Sequence, residues 1–320
     1  MVWLGRGMIT ALRLPTRLLS FGAATMAATN YGSITESAAA PAMILPGDLL
    51  VREHVITVPV DHGVGADGRF GSLSVFVREL VPASKAEDDL PVLLYLQGGP
   101  GFPAGRPTAP PSGWTKAALA KGYRVLLLDQ RGTGRSSPVT AQSLGSLASP
   151  EEQAAYLTHF RADSIVRDCE AVRHGLCGGK KLTLLGQSFG GFCILTYLSL
   201  FPAAIERALF TFGLAPVGRS ATEVYGATYL RMQERNRRFY ERYPQDVELV
   251  REIVASLHEA PLAMPRGGTL TPRRFLMLGL LLGSANGFES LHDLLEMARE
   301  TPQPQPTGGA EGGGGGGGGG

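Results

Sequence analysis

Four short runs constrain the fold of this chain most: PVLLYL (Pro91 to Leu96), YRVLLLD (Tyr123 to Asp129), KLTLLG (Lys181 to Gly186) and RALFTFG (Arg207 to Gly213). Each is continuously apolar and bounded by turn residues, so it suits a central parallel strand covered on both faces by helices. The stretch DSIVRDCEAVRHGL (Asp163 to Leu176) sets Ile165, Val166, Cys169, Val172 and Leu176 at helical spacing, with Asp163 as the expected N-cap. Ahead of these, HVITVPV (His54 to Val60) and GSLSVFVREL (Gly71 to Leu80) are β-rich and joined by the Gly/Asp-rich DHGVGADGRF, which reads as a hairpin. A hairpin followed by alternating strand and helix predicts an α/β fold with a doubly wound, mostly parallel sheet. With 320 residues, 44% of them hydrophobic, the chain can bury a full core.

After Pro216 the texture changes. SATEVYGATYLRMQERNRRFYERY, DVELVREIVASL, RRFLMLGLLLG and FESLHDLLEMARE all have helical period, and no strand is expected among them. The run FLMLGLLLG (Phe275 to Gly283) reads as a buried helix, about half the ~18 residues needed to span a bilayer. The expected organisation is an extension over 1–45, an α/β core over 46–214, a helical cap over 215–300 and a disordered Pro/Gln/Gly tail over 301–320. Met1 to Thr35 carries Arg6, Arg13 and Arg17 with no acid before Glu36, the composition of an organellar transit peptide. A secretory signal or a plain extension fits too, so the expected compartment is cytoplasmic or organellar. A net charge of +2 with no Lys/Arg stripe argues against a nucleic-acid partner, and no apolar run argues for a membrane one. Cys169, Cys177 and Cys193 are odd in number and lack metal-ligand spacing, which predicts free buried thiols and no metal.

Gly186-Gln187-Ser188-Phe189-Gly190 matches G-x-S-x-G, with a strand before it and a helix after it. In that context Ser188 is a candidate nucleophile, and the Phe189 backbone N–H at the helix start is a candidate oxyanion donor. The glycine loop YLQGGPGFPAG (Tyr95 to Gly105) follows an earlier strand and can supply a second donor. Its Gly99-x-Gly101-x-x-Ala104 loosely fits a dinucleotide fingerprint, but that fingerprint must open a helix. Pro100, Pro103, Pro107, Pro110 and Pro111 forbid one. DQRGTGRSSP (Asp129 to Pro138) closes a strand and reads as a turn fixed by side-chain-to-backbone bonds and an ion pair.

LQGGPG, DQRGTGRS and GQSFGG, in this order and spacing, resemble the proline iminopeptidase family of α/β-hydrolase serine aminopeptidases. Gln97 stands where that family usually has histidine. The likeness continues through HFRADSIVRDCEAVR, ERNRRFYERYP, LGLLLG and GFESLHDLLE, covering roughly residues 51–300. It implies release of an N-terminal residue, typically proline, from peptides with a free N-terminus, with no metal or organic cofactor. It also implies Gly99 as the second oxyanion donor, a helical cap over the site, and an early cap acid that binds the substrate amine, best placed at Glu223.

In an α/β hydrolase the triad runs serine, acid, histidine, and the partners lie on loops after later strands. His54, His62, His159 and His174 precede Ser188, while His258 and His292 follow it within amphipathic helices and read as helix-surface residues, as do Asp246 and Asp293. No triad acid or histidine is identified. The sequence therefore predicts that two strands, the acid and the histidine lie beyond these residues, that the Arg207 strand leaves an unpaired sheet edge, and that the chain alone is inactive. The alternatives are a non-catalytic remnant acting as a binding module, or an esterase on the same scaffold.

Overall fold

A computed structural model describes residues 10–12, 42–107 and 110–300. The described residues divide into two compact units, one up to Ala215 and one from Pro216 on. Most of the transit-like stretch and all of the Pro/Gln/Gly tail lie outside the described residues.

The first unit contains β1 (Thr10–Leu12), β2 (Met43–Leu45), β3 (Leu49–Pro59), β4 (Ser72–Pro82), β5 (Val92–Leu96), α1 (Gly113–Ala120) and β6 (Arg124–Asp129). There follow α2 (Ala141–Gly145), α3 (Pro150–Leu157), α4 (Ala162–Cys177), β7 (Leu182–Gln187), α5 (Phe189–Leu200) and β8 (Ile205–Thr211). The strands form one sheet in the order β1-β8-β7-β5-β6-β4-β3-β2. Its centre, β8-β7-β5-β6, is parallel, and β4, β3 and β2 continue it antiparallel.

Period-two alternation explains why the four apolar runs are central. Val92, Leu94 and Leu96 of β5 point into a cluster with Leu126 and Leu128 of β6 and with Val166, Cys169 and Ile194 of α4 and α5. Leu93 and Tyr95 point the other way, joining Val125, Leu127 and the α1 residues Ala118 and Leu119. Both faces are thus dry, which continuous apolar runs require. The hairpin is longer than the sequence suggested, pairing from Leu49↔Pro82 to Pro59↔Ser72. The N-cap of α4 is Arg161 rather than Asp163, which lies in the first turn as a favourable acid. The three cysteines are free and buried, and burial pushes the Cys193 thiol up to about 12.

Two expectations about this unit are corrected. The 1–45 segment is not wholly outside the fold: β1 and β2 are sheet strands. Nor is β8 an open edge, because β1 pairs with it antiparallel from Thr10↔Phe210 to Leu12↔Ala208. A paired edge satisfies backbone groups that would otherwise template aggregation.

The second unit contains α6 (Ala221–Arg242), α7 (Asp246–Glu259), β9 (Leu262–Ala263), β10 (Thr269–Leu270), α8 (Pro272–Leu276) and α9 (Gly287–Glu300). Its core joins Phe239, Leu257, Phe275, Leu282, Leu291 and Leu295. β9 and β10 form a two-residue hairpin that helical periodicity hid. FLMLGLLLG is not one buried helix: α8 stops at Leu276, and 3-10 turns run from Met277 to Gly283. Gly279 and Gly283 lower the α-helical propensity there, and Leu276, Met277 and Leu280 are exposed. No helix among the described residues is long and apolar enough to cross a membrane.

Candidate active site

Ser188 sits at the turn between β7 and α5 with φ 51° and ψ −115°, a conformation that costs a non-glycine residue free energy. The backbone around it is fixed on both sides. Ser188 N–H donates to the Thr211 carbonyl of β8, and the Ser188 carbonyl accepts from Gly191 N–H. Gly190 is required by close approach, since a Cβ there would collide with the Leu96 carbonyl oxygen. The strand, the sharp turn and the helix therefore pack at van der Waals distance, and the Ser188 side chain is left half-buried.

The glycine loop lies directly against this turn. A Cβ on Gly98 would stand 3.0 Å from Ser188 Cβ and 2.9 Å from the Gln187 carbonyl oxygen. Gly98 N–H is already used, donating to Gln97 Oε1 at 2.9 Å. Neither Gly99 N–H nor Phe189 N–H has a hydrogen-bond partner among the described residues. Phe102, Phe192 and Phe212 are exposed around the same turn, with Phe212 also at positive φ, 56°.

DQRGTGRSSP holds the glycine loop from the other side. The Asp129 carboxylate accepts from Ala104 N–H at 3.0 Å and Arg135 N–H at 2.9 Å. Gln130 Nε2 donates to the Gln97 carbonyl at 3.0 Å. Arg131 is fully buried and grips Asp168 with two bonds, Nε to Oδ2 at 2.7 Å and Nη2 to Oδ1 at 2.6 Å. It also donates to the carbonyls of Pro59, Val60 and His159. The motif is structural, as its turn chemistry suggested, and its ion-pair partner is a residue of α4.

The histidines of this unit are engaged elsewhere. His54 bonds Glu79 at 2.8 Å, His62 bonds Asp168 at 2.8 Å, His159 lies edge-on to Phe70, and His174 pairs with Glu170. No hydrogen bond joins Ser188 Oγ to a histidine or carboxylate of this unit among the described residues. In the second unit His258 is exposed as expected, but His292 is partly buried. Its ring stacks on Tyr243 at 4.0 Å and its Nδ1 meets Asp246 Oδ2 at 2.9 Å, with Asp246 buried. Helical period places both on helices and cannot say that those helices meet there. No group of acids, histidines and cysteines that could hold a metal occurs among the described residues.

Glu223 lies in the first turn of α6, where its Oε2 accepts from Ser220 N–H at 2.8 Å while Ser220 Oγ accepts from Glu223 N–H. That backbone hydrogen bond holds its carboxyl below the usual carboxylate range. Arg219 pairs with Oε1 at 3.3 Å, and the carboxylate stays more than half exposed.

The sheet with its strand-serine-helix turn defines an α/β hydrolase, and the profile of the alpha/beta hydrolase fold family matches residues 91–254: the chain belongs to that family. Within it, the proline iminopeptidase of Aeromonas sobria is 49% identical over 245 residues, 77% of this chain and 56% of that protein. A proline iminopeptidase of Aspergillus aculeatus is 38% identical over 78% of this chain and 56% of its own length. A tripeptidyl aminopeptidase of Streptomyces coelicolor is 28% identical over 48% of this chain and 33% of its length. The resemblance carried by LQGGPG, DQRGTGRS and GQSFGG is thus borne out. The chain spans about half the length of the curated relatives it matches.

Proposed function

We propose that the protein is a serine aminopeptidase that releases the N-terminal residue of a peptide, proline foremost, through an acyl-enzyme on Ser188. One observation carries the reading: a strained serine at the strand-helix turn, with two N–H groups unbonded among the described residues, one on the glycine loop and one at the first residue of α5. Ser188 Oγ would attack the first peptide carbonyl, whose oxygen, turning negative, would be received by Gly99 and Phe189 N–H. Collapse of that intermediate expels the shortened peptide as an amine and leaves the N-terminal residue esterified to Ser188, and water then frees it. A general base must take the Ser188 proton, and in this reading it is none of the four histidines of the first unit. The exposed rings of Phe102, Phe192 and Phe212 offer apolar surface suited to a pyrrolidine ring. The family likeness to aminopeptidases of proline and of tripeptides supports a peptide with a free N-terminus as substrate.

The test treats the full-length protein with a fluorophosphonate and compares a prolyl arylamide with a simple ester. Labelling at Ser188 with faster arylamide cleavage is expected. Absence of labelling would make the protein a non-catalytic relative, and preference for the ester would make it an esterase.

The free amine of such a substrate needs an anionic partner, and Glu223 is proposed for it. Glu223→Gln is a clean probe, because glutamine also closes a capping box and leaves α6 intact. It should raise KM for free-amine substrates about tenfold or more, the scale of a hydrogen bond to a charged group, and spare N-blocked esters. Equal effects on both substrates would remove Glu223 from the site.

A further inference from the structure

Of the two proposed oxyanion donors, Gly99 sits on the glycine loop and Phe189 at the start of α5, so something must fix their separation. Gln97, the residue that departs from the family's usual histidine, is bonded through nearly every polar atom it has. Its Oε1 accepts from Gly98 N–H at 2.9 Å and lies 2.7 Å from Tyr95 Oη, its Nε2 donates to the Pro103 carbonyl at 3.2 Å, and its own carbonyl accepts from Gln130. Tyr95 Oη is also 2.7 Å from the side-chain amide of Gln187, the residue before Ser188. A phenol has one proton. With Gln97 Oε1 accepting it, the Gln187 amide must present its NH2 to Tyr95 Oη, an orientation that heavy-atom positions alone do not distinguish. The Tyr95 ring is buried and stacked on Trp114 at 4.7 Å, and burial pushes its hydroxyl pKa up, so the proton stays on.

We infer that Tyr95 and Gln97 are positioning residues: a Gln97–Tyr95–Gln187 clamp ties the glycine loop to the serine turn and sets the gap between Gly99 N–H and Phe189 N–H. The clamp rests on the proposed role of Ser188 and goes beyond it, since it assigns Tyr95 and Gln97 to holding the donors in place. Both donors are useful only at the spacing of a developing oxyanion, and a misplacement near 1 Å can cost about a hundredfold in rate.

Tyr95→Phe removes only the hydroxyl, and Gln97→Ala removes the whole bridge. In the full-length protein each should lower kcat for a prolyl arylamide between about tenfold and a hundredfold, with KM within about twofold, the pattern of an interaction felt in the transition state. The rate at which a fluorophosphonate phosphonylates Ser188 should fall in parallel, since that reaction uses the same hole. Gln97→His can again accept from Gly98 N–H and should recover most of the loss. Wild-type labelling and kcat in both Tyr95→Phe and Gln97→Ala would overturn the clamp and leave the aminopeptidase reading standing. So would a rise in KM matching the loss in kcat/KM, the mark of general loosening. Rapid labelling of the wild type without arylamide turnover would overturn the aminopeptidase reading alone, with the clamp judged on labelling rates. No labelling of the wild type would overturn both.

Discussion

Ser188→Ala in the full-length protein is expected to lower kcat for prolyl arylamides by about 10⁶, as loss of a triad serine does. Alanine inherits the same strained backbone, φ 51°, and the same hydrogen bonds from Ser188 N–H to Thr211 and from Gly191 to its carbonyl. The variant should therefore melt with the wild type, and its defect is chemical. The measurement is steady-state turnover beside a thermal melt. A loss of less than about tenfold in kcat would remove Ser188 from the chemistry, because binding and an oxyanion hole without a nucleophile retain only a small residue of the rate.

The largest expected effect on stability belongs to Arg131. Arg131→Met leaves the Asp168 carboxylate almost wholly buried with His62 as its remaining side-chain partner, and strips donors from the Pro59, Val60 and His159 carbonyls. Breaking a buried pair from one side costs about 3–5 kcal/mol. For a unit of this size that is a fall in Tm of roughly 6–20 °C. Adding Asp168→Leu should restore part of it, since removing both charges leaves no buried ion unpaired. The recovery is partial because the three carbonyls stay without their donor. A single-variant loss below about 1 kcal/mol would show that water reaches Asp168 and that the pair is not what holds β3, the DQRG turn and α4 together.

The features legible in sequence were those whose signal is local. Continuous apolar runs announced β5, β6 and β7, because a strand covered on both faces has no polar side to show; β8 was announced by the same kind of run although Glu206 and Arg207 are exposed on it. GQSFG announced the serine turn, because the packing of Gly190 on Leu96 tolerates no side chain. What escaped depends on residues far apart in the chain. Thr10–Leu12 is three ordinary residues in an Arg/Ala-rich stretch, and only its partner some 200 positions on makes it a strand. His292 and Asp246 each read as one more polar residue on an amphipathic helix, and their pairing lies in how α7 and α9 meet. Gln97 was visible as a departure from a motif, but its role comes from Tyr95 and Gln187, which no spacing rule connects to it. FLMLGLLLG failed differently: its apolarity was plain, while two glycines and a one-sided core decided its winding.

The backbone of Ser188 also bears on how such a protein changes over generations. Only glycine occupies that region of conformational space without strain. Ser188→Gly would release roughly 1–3 kcal/mol of strain, against roughly 0.5–1 kcal/mol of added chain entropy to lose on folding. Selection for folding alone therefore leads downhill to a silent protein. A gene copy released from the need for chemistry should drift to glycine at this position while becoming sturdier, and a laboratory library sorted only for thermal survival should do the same. Serine persists there only while something outside the folding free energy keeps demanding it.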